Sequence, residues 1–202
     1  MSTPRVSLLP IEDATQTGAP LGIIELKAQL SVYRVLLHHP QLAQRISDLM
    51  DTLTSQSELD ARLRELIIMR IGWINNGVYE WTQHWQLAPL FEVDQNELLA
   101  TRDWTTHDHW SPIDRAALRA TDDTMLRGAI SSETWSACVD AFPTEREQLE
   151  LVATIGAWKM MSDLLQSLQV PLEDGVTPWP PDGVSPNKPL VAELQVDDPW
   201  TA

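Results

Sequence analysis

Residues 64–88 read RELIIMRIGWINNGVYEWTQHWQLA, and this stretch decides the fold. Its first part is a long apolar helix that carries one carboxylate, Glu65. Asn75-Asn76-Gly77 is a strong break. A second helix then runs from about residue 78 to 90 and carries Glu80 and His84. Those two are four apart, so their side chains share one helical face. Glu65 precedes the break by about ten residues and His84 follows it by about eight. At roughly 1.5 Å of rise per residue, the two stand at similar heights in antiparallel helices. The pattern therefore predicts a helical hairpin with Glu65 and His84 level across it. Ile67, Ile68, Ile71, Trp81 and Leu87 surround them. A dry pocket of this kind moves carboxyl and imidazole groups toward neutrality, which suits proton transfer.

Working outward, residues 1–20 read as an extended segment with Pro4, Pro10, Gly18 and Pro20. Residues 21–38 read as a helix, because Ile23, Leu26, Leu30, Tyr33 and Leu37 recur at three- and four-residue spacing. His38-His39-Pro40 ends it, since the residue before a proline avoids helical geometry. Residues 41–54 form a second amphipathic helix. Ser57 is placed to cap the next one, with Asp60 in the capping-box position. Further on, a short helical piece covers 97–100, and Ser111-Pro112 opens a helix through Met125 with proline in its first turn. Ser131 or Ser132 caps a short helix to Val139, and 144–169 form the last long one. Nothing alternates with period two for long enough to make a strand, so the chain is all-α. Residues 171–202 hold half of the prolines together with Trp179 and Trp200, and read as an extended arm docked on this subunit or a neighbour. The expected division is an extended segment over 1–20, one all-α domain over 21–170 and a Pro-rich arm over 171–202.

Composition removes several classes of function. A net charge of −15 repels a phosphate backbone or an anionic bilayer surface, so neither nucleic acid nor membrane is an expected partner. No apolar run approaches the roughly 18 residues of a membrane span, and the N-terminus lacks a secretory pattern. A cytoplasmic location is expected. Cys138 is the one cysteine, so no intrachain disulfide forms and a buried structural thiol is expected. There is no phosphate-binding glycine loop, GxSxG elbow or dinucleotide fingerprint. His107 and His109 in a loop, or the trio Glu65, Glu80 and His84, have ligand chemistry for a metal, but no metal or other cofactor is expected.

These residues carry a resemblance. The stretch resembles the carboxymuconolactone decarboxylase/alkylhydroperoxidase D superfamily, whose peroxidases show Glu-x11-Cys-x2-Cys-x3-His. Here that frame reads Glu65-x11-Gly77-x2-Glu80-x3-His84. Tyr79-Glu80-Trp81 with His84 and Ala88 resembles a cysteine-free branch. So do Trp110-Ser111-Pro112 with Asp114, Leu118, Arg119 and Ala120, and Ile130-Ser131 through Glu133-Thr134-Trp135. The similarity spans roughly residues 30–172. It implies an all-α helical bundle of that type, a homo-oligomer and a small-molecule substrate.

The departures remove one chemistry and leave another. A carboxylate cannot cycle through sulfenic acid and disulfide, so the thiol peroxidase reaction is excluded. The acid/base half of the centre survives. The expectation is a cofactor-free lyase or isomerase acting on a small carboxylated or lactone compound. His84 is expected as general acid/base, Glu80 as its partner or the proton donor, and Glu65 as orienter. Tyr79, Trp81 and Arg64 are expected to contact substrate, with Arg64 or Arg70 available to hold an anion. The alternatives are an inactive oligomeric binding or scaffold protein, and a non-thiol peroxidase or metal-dependent activity.

Overall fold

The computed structural model describes residues 4–186, and every described element is helical. Ten α-helices follow in order: α1 (Ile11–Gly18), α2 (Glu25–Ala28), α3 (Ser31–Leu36), α4 (Pro40–Ser55), α5 (Ala61–Ile74), α6 (Val78–Leu87), α7 (Gln95–Ala100), α8 (Pro112–Arg127), α9 (Ser132–Ala141) and α10 (Glu145–Leu168). Short 3-10 turns join several of them. Among the described residues no helix is long and apolar enough to cross a membrane.

Helix α5 is the axle. Leu63 through Met69 are all buried, as are Ile71 and Gly72, and α5 packs against α6, α8 and α10. Asp60 caps it by accepting from the Leu63 N–H at 3.1 Å. This corrects the expected Ser57 cap: the Ser57 hydroxyl instead donates to Glu150 at 2.8 Å, tying the loop to α10. Gly72 lets α5 and α6 come together, since a Cβ there would lie 3.2 Å from the Trp81 backbone nitrogen. At the tip of the hairpin Asn76 takes φ +55°, a left-handed conformation that asparagine tolerates. The Asn75 amide donates to Ser162 (2.9 Å) and Asp163 (2.8 Å), which staples the turn to α10.

The starts of the later helices follow the sequence closely. Ser111 and Asp114 form a capping box at α8, and Thr144 and Glu147 form another at α10. Ser131 caps α9. The N-terminal part departs from expectation. The segment expected as extended contains α1, and the helix expected over 21–38 breaks into α2 and α3. The break has a local cause: Gly22 takes φ +77°, and Ile24 and Leu30 sit in extended geometry at the heads of the short helices. The three- and four-residue apolar spacing survives because the fragments pack as a layer over one core.

That core is double. One cluster gathers α5, α8 and α10 around Trp81, Trp85 and Trp158; the other gathers α1–α4 around Tyr33, Tyr79, Met161 and Leu165. Tyr79 and Trp81 thus belong to different clusters, and Glu80 lies at the seam between them. The Pro-rich arm docks on its own subunit over its described part. Trp179 meets Trp73 edge-on at 6.2 Å and lies 6.1 Å from Trp81, whose indole N–H donates to the Pro180 carbonyl at 2.8 Å. Asp182 holds Arg102 through two bonds of 2.8 and 3.0 Å. Trp200 lies outside the described residues.

Candidate active site

The hairpin brings Glu65 and His84 together. His84 Nδ1 lies 2.7 Å from Glu65 Oε2. On its other side, His84 Nε2 lies 3.2 Å from the indole nitrogen of Trp158 on α10. Indole N–H only donates, so Nε2 accepts and the ring's proton sits on Nδ1, donated to Glu65. The opposite oxygen of Glu65 lies 3.4 Å from Arg64 Nε. Arg64 is 2% exposed and stacks over Phe91 at 5.0 Å. The result is a buried chain, Arg64–Glu65–His84–Trp158, reaching from α5 through α6 to α10.

Glu80 stands apart from this chain. Sequence reasoning made it a possible partner of His84; the structure pairs His84 with Glu65 instead. Glu80 is 3% exposed and neither of its oxygens has a side-chain or backbone hydrogen bond of good geometry. Burial pushes its carboxyl up from the ordinary 4.5 to about 7, and its own backbone N–H, His84 and the Ser162 hydroxyl offset only part of that. Gly77 explains how a carboxylate fits here. A Cβ on Gly77 would sit 2.8 Å from Glu80 Oε2 and 2.8 Å from Ser162 Oγ. The missing side chain at 77 is the space that the Glu80 carboxyl occupies.

A substitution tests this coupling. Gly77→Ala is expected to cost about 1–3 kcal/mol, the usual penalty for overpacking. Backbone strain does not contribute, because Gly77 has φ −81°. In a Glu80→Ala background part of that cost should vanish, the remainder being the clash with the Ser162 hydroxyl, read as a double-mutant cycle by urea unfolding. Equal costs in both backgrounds would disprove the shared space.

Glu80 lines a cleft of about 410 Å³ that opens between α6, the end of α10 and the arm. Tyr79 lines it too. Its hydroxyl donates to Glu173 Oε1 at 2.6 Å, and burial beside that carboxylate raises the phenol's pKa well above its usual value. Glu173 also accepts from the Ser31 N–H at 2.8 Å and from the Gln83 amide, so it fastens the arm to α3 and α6.

The other expected site residues are placed elsewhere. Trp81 has no exposed surface; it stacks with Trp85 at 6.4 Å and lies under Arg102 at 4.7 Å, so it is core rather than cleft wall. Arg64 is spent on Glu65. Arg70 is spent on Asp122 at 2.6 Å and on the carbonyls of Thr101 and Arg102. Cys138 is buried, with its thiol pushed up to about 11. His107 pairs with Asp103 at 3.2 Å, and among the described residues no three His, Cys, Asp or Glu side chains gather as a metal centre. Two participants escaped sequence reasoning, Trp158 and Glu173. Trp158 is one of nine tryptophans, with nothing local to mark it. Glu173 lies in the Pro-rich arm, whose docking was expected through its tryptophans rather than through a carboxylate.

Comparison with known proteins fits this architecture. Residues 40–123 match the carboxymuconolactone decarboxylase family. None of the curated proteins matches the chain. Among solved structures, the debrominase Bmp8, in a cysteine-to-alanine variant bound to 2,3,4-tribromopyrrole, superposes with a TM-score of 0.70 at 18% identity. That match covers 86% of this chain and 94% of the other. An uncharacterised peroxidase-related protein with an alkylhydroperoxidase AhpD core, from Ralstonia eutropha JMP134, gives 0.69 at 14% identity, covering 89% and 100%. A peroxidase-related protein from Silicibacter sp. TM1040 gives 0.67 at 13%, covering 87% and 92%. At these identities the likeness is one of fold.

Proposed function

For a chain whose residues 40–123 belong to the carboxymuconolactone decarboxylase family and whose fold is that of the AhpD-like proteins, we propose a cofactor-free acid/base enzyme of the lyase or isomerase type. Its substrate is a small carboxylated or lactone compound. One observation carries this reading: a buried carboxyl with no well-formed hydrogen bond, pushed up to about 7 by burial, on a residue that lines a cleft of about 410 Å³. A general acid works best when its pKa lies near the operating pH.

In this reading Glu80 is the proton donor. When a bond next to a carbonyl breaks, its electron pair stays on carbon as an enolate, and the Glu80 proton moves to that carbon. Solvent then returns a proton to Glu80. In an isomerisation the same carboxylate first removes a proton from one carbon and returns it at another. Glu65, His84 and Trp158 hold α6 so that Glu80 keeps its aim. His84 is thus a positioning residue, since Trp158 already occupies its free nitrogen. Neighbours of this fold include peroxidase-related proteins and a debrominase, but no second cysteine is available here for dithiol chemistry.

The test is a panel of small lactones and β-keto or enol carboxylates in D₂O, followed by NMR for deuterium incorporation, double-bond migration or loss of CO₂. Turnover by the wild type should fall to the buffer rate in Glu80→Gln. Retention of full turnover in that variant would remove the proposal. The capped His84 nitrogen favours one second reading, in which the Arg64–Glu65–His84–Trp158 chain is purely a staple and the protein binds without turning over. Binding by the panel with no turnover in the wild type would select it.

A further inference from the structure

Helix α10 has two faces. Inward, Ile155, Trp158 and Leu165 pack into the two cores. Outward, Arg146, Leu149, Ala153, Gly156, Met160 and Asp163 follow one another at alternating three- and four-residue spacing. That is the heptad pattern that keeps one seam turned toward a partner helix. Leu149 is 68% exposed and Met160 41%, with Val152 beside them at 42%. The seam is about 25 Å long at helical rise, and exposed apolar surface of this continuity marks a contact face.

Gly156 stands near its middle. Glycine inside a helix is destabilising relative to alanine, and no described neighbour calls for it, since a Cβ there would meet nothing within 4 Å. Packing within the subunit therefore does not account for it. A second backbone approaching from outside does.

The seam also reads alike from both ends. Arg146 opens it and Asp163 closes it; Leu149 and Met160 stand one place inside; Ala153 and Gly156 hold the centre. Laying α10 of a second copy antiparallel, about a two-fold axis between residues 154 and 155, sets Arg146 against the partner's Asp163. The same operation sets Leu149 against the partner's Met160 and Ala153 against the partner's Gly156. Alongside, Glu150 meets the partner's Lys159. Other registers lose this match: a shift of one heptad puts Arg146 against the partner's Gly156 or Leu149 against the partner's Ser167. A parallel pair sets like charges together. Within one copy Arg146 pairs with Glu150 at 2.9 Å and Lys159 with Asp163 at 2.6 Å. The seam is thus neutral in a chain of net charge −15, so two acidic copies can meet there.

We propose that the outer face of α10 is a self-association surface, an isologous antiparallel helix pair joining two copies of this chain. The proposal is independent of the chemistry at Glu80. Trp158 and Ser162 reach the site from the inner face of α10, so each copy keeps a whole site.

The seam is smaller than a standard interface, which places the dimer in the micromolar range. Sedimentation velocity of the full chain across about 1–200 µM should show monomer passing to dimer. Gly156→Arg enters open space in the monomer, so the variant should keep its helical CD while associating about tenfold or more weakly. Met160→Lys should act in the same direction. Disulfide trapping reads the register. Leu149→Cys mixed with Met160→Cys should cross-link far more than either variant alone, in which like positions lie roughly 16 Å apart along the helices. Cys138 is buried and stays out of the reaction. A monomer at every concentration overturns the proposal and leaves the seam to residues 187–202 of the same chain or to another protein. A dimer that both charge-introducing variants leave intact overturns it too, as does a mixed cross-link no more abundant than that of the single variants.

Discussion

Replacing Glu65 with alanine is expected to destabilise the protein by about 3–5 kcal/mol, the range seen when one member of a buried ion pair is removed. Glu65 is 1% exposed and serves two groups at once. One oxygen takes the His84 Nδ1–H at 2.7 Å, and the other faces Arg64 at 3.4 Å. Without the carboxylate, a guanidinium that is 2% exposed loses its counter-charge and an imidazole N–H loses its acceptor. The remaining support of Arg64 is weak: one long bond to the Thr54 carbonyl and the Phe91 ring. Glu65→Gln keeps an acceptor for His84 and gives up only the charge, so it should cost less, about 1–3 kcal/mol. Urea unfolding of both variants measures this. An alanine variant within 1 kcal/mol of wild type would mean that Arg64 finds water when its partner is gone.

The second large effect is on the pH dependence of stability. Glu80 holds its proton more tightly folded than unfolded, because burial raises its carboxyl from 4.5 to about 7. Its contribution is therefore complete below about 4.5, declines as pH rises from 4.5 to 7, and is gone above 7. At 1.36 kcal/mol per pKa unit the swing is about 3 kcal/mol. Asp123, held down to about 2 by Ser131, and Asp182, held down to about 2 by Arg102, act in the opposite sense and lose their contribution only at lower pH. The stability maximum should accordingly fall on the acidic side of neutrality. Glu80→Gln isolates the effect. Relative to wild type, the variant should gain about 2–3 kcal/mol between pH 5 and pH 8. A constant difference across that range would mean that Glu80 ionises like an exposed carboxylate.

The hairpin and its level pair were legible because they depend on local rules. The Asn75-Asn76-Gly77 break fixes where α5 turns into α6, and helical rise alone sets Glu65 opposite His84. The starts of α8 and α9 were legible for the same reason: Ser111-Pro112 and Ser131 act within one turn. The contacts of Glu80 were not. Its i,i+4 spacing to His84 suggested a pair, but His84 reaches across the hairpin to Glu65 while the Glu80 carboxyl sits beside Gly77 and Ser162. Trp158 and Glu173 were invisible for a related reason. Each acts on α6 from a distant part of the chain, through contacts 74 to 94 residues apart in sequence. The division of residues 21–38 into two short helices also exceeded local pattern. Apolar spacing fixes which side faces the core, not whether the backbone between stays continuous.

The shared space at Gly77 and Glu80 carries a consequence for descent. In the Cys-x2-Cys frame that this segment resembles, positions 77 and 80 both bear side chains. Here a side chain at 77 meets the tips of Glu80 and Ser162 at 2.8 Å, so they must turn aside to admit it, and the effect of a change at 77 depends on what stands at 80. Losing the bulk at 77 opens the room that a glutamate at 80 fills, and surrendering Glu80 clears the way for a side chain at 77. The smoother passage in either direction runs through a form with neither a thiol pair nor the carboxylate.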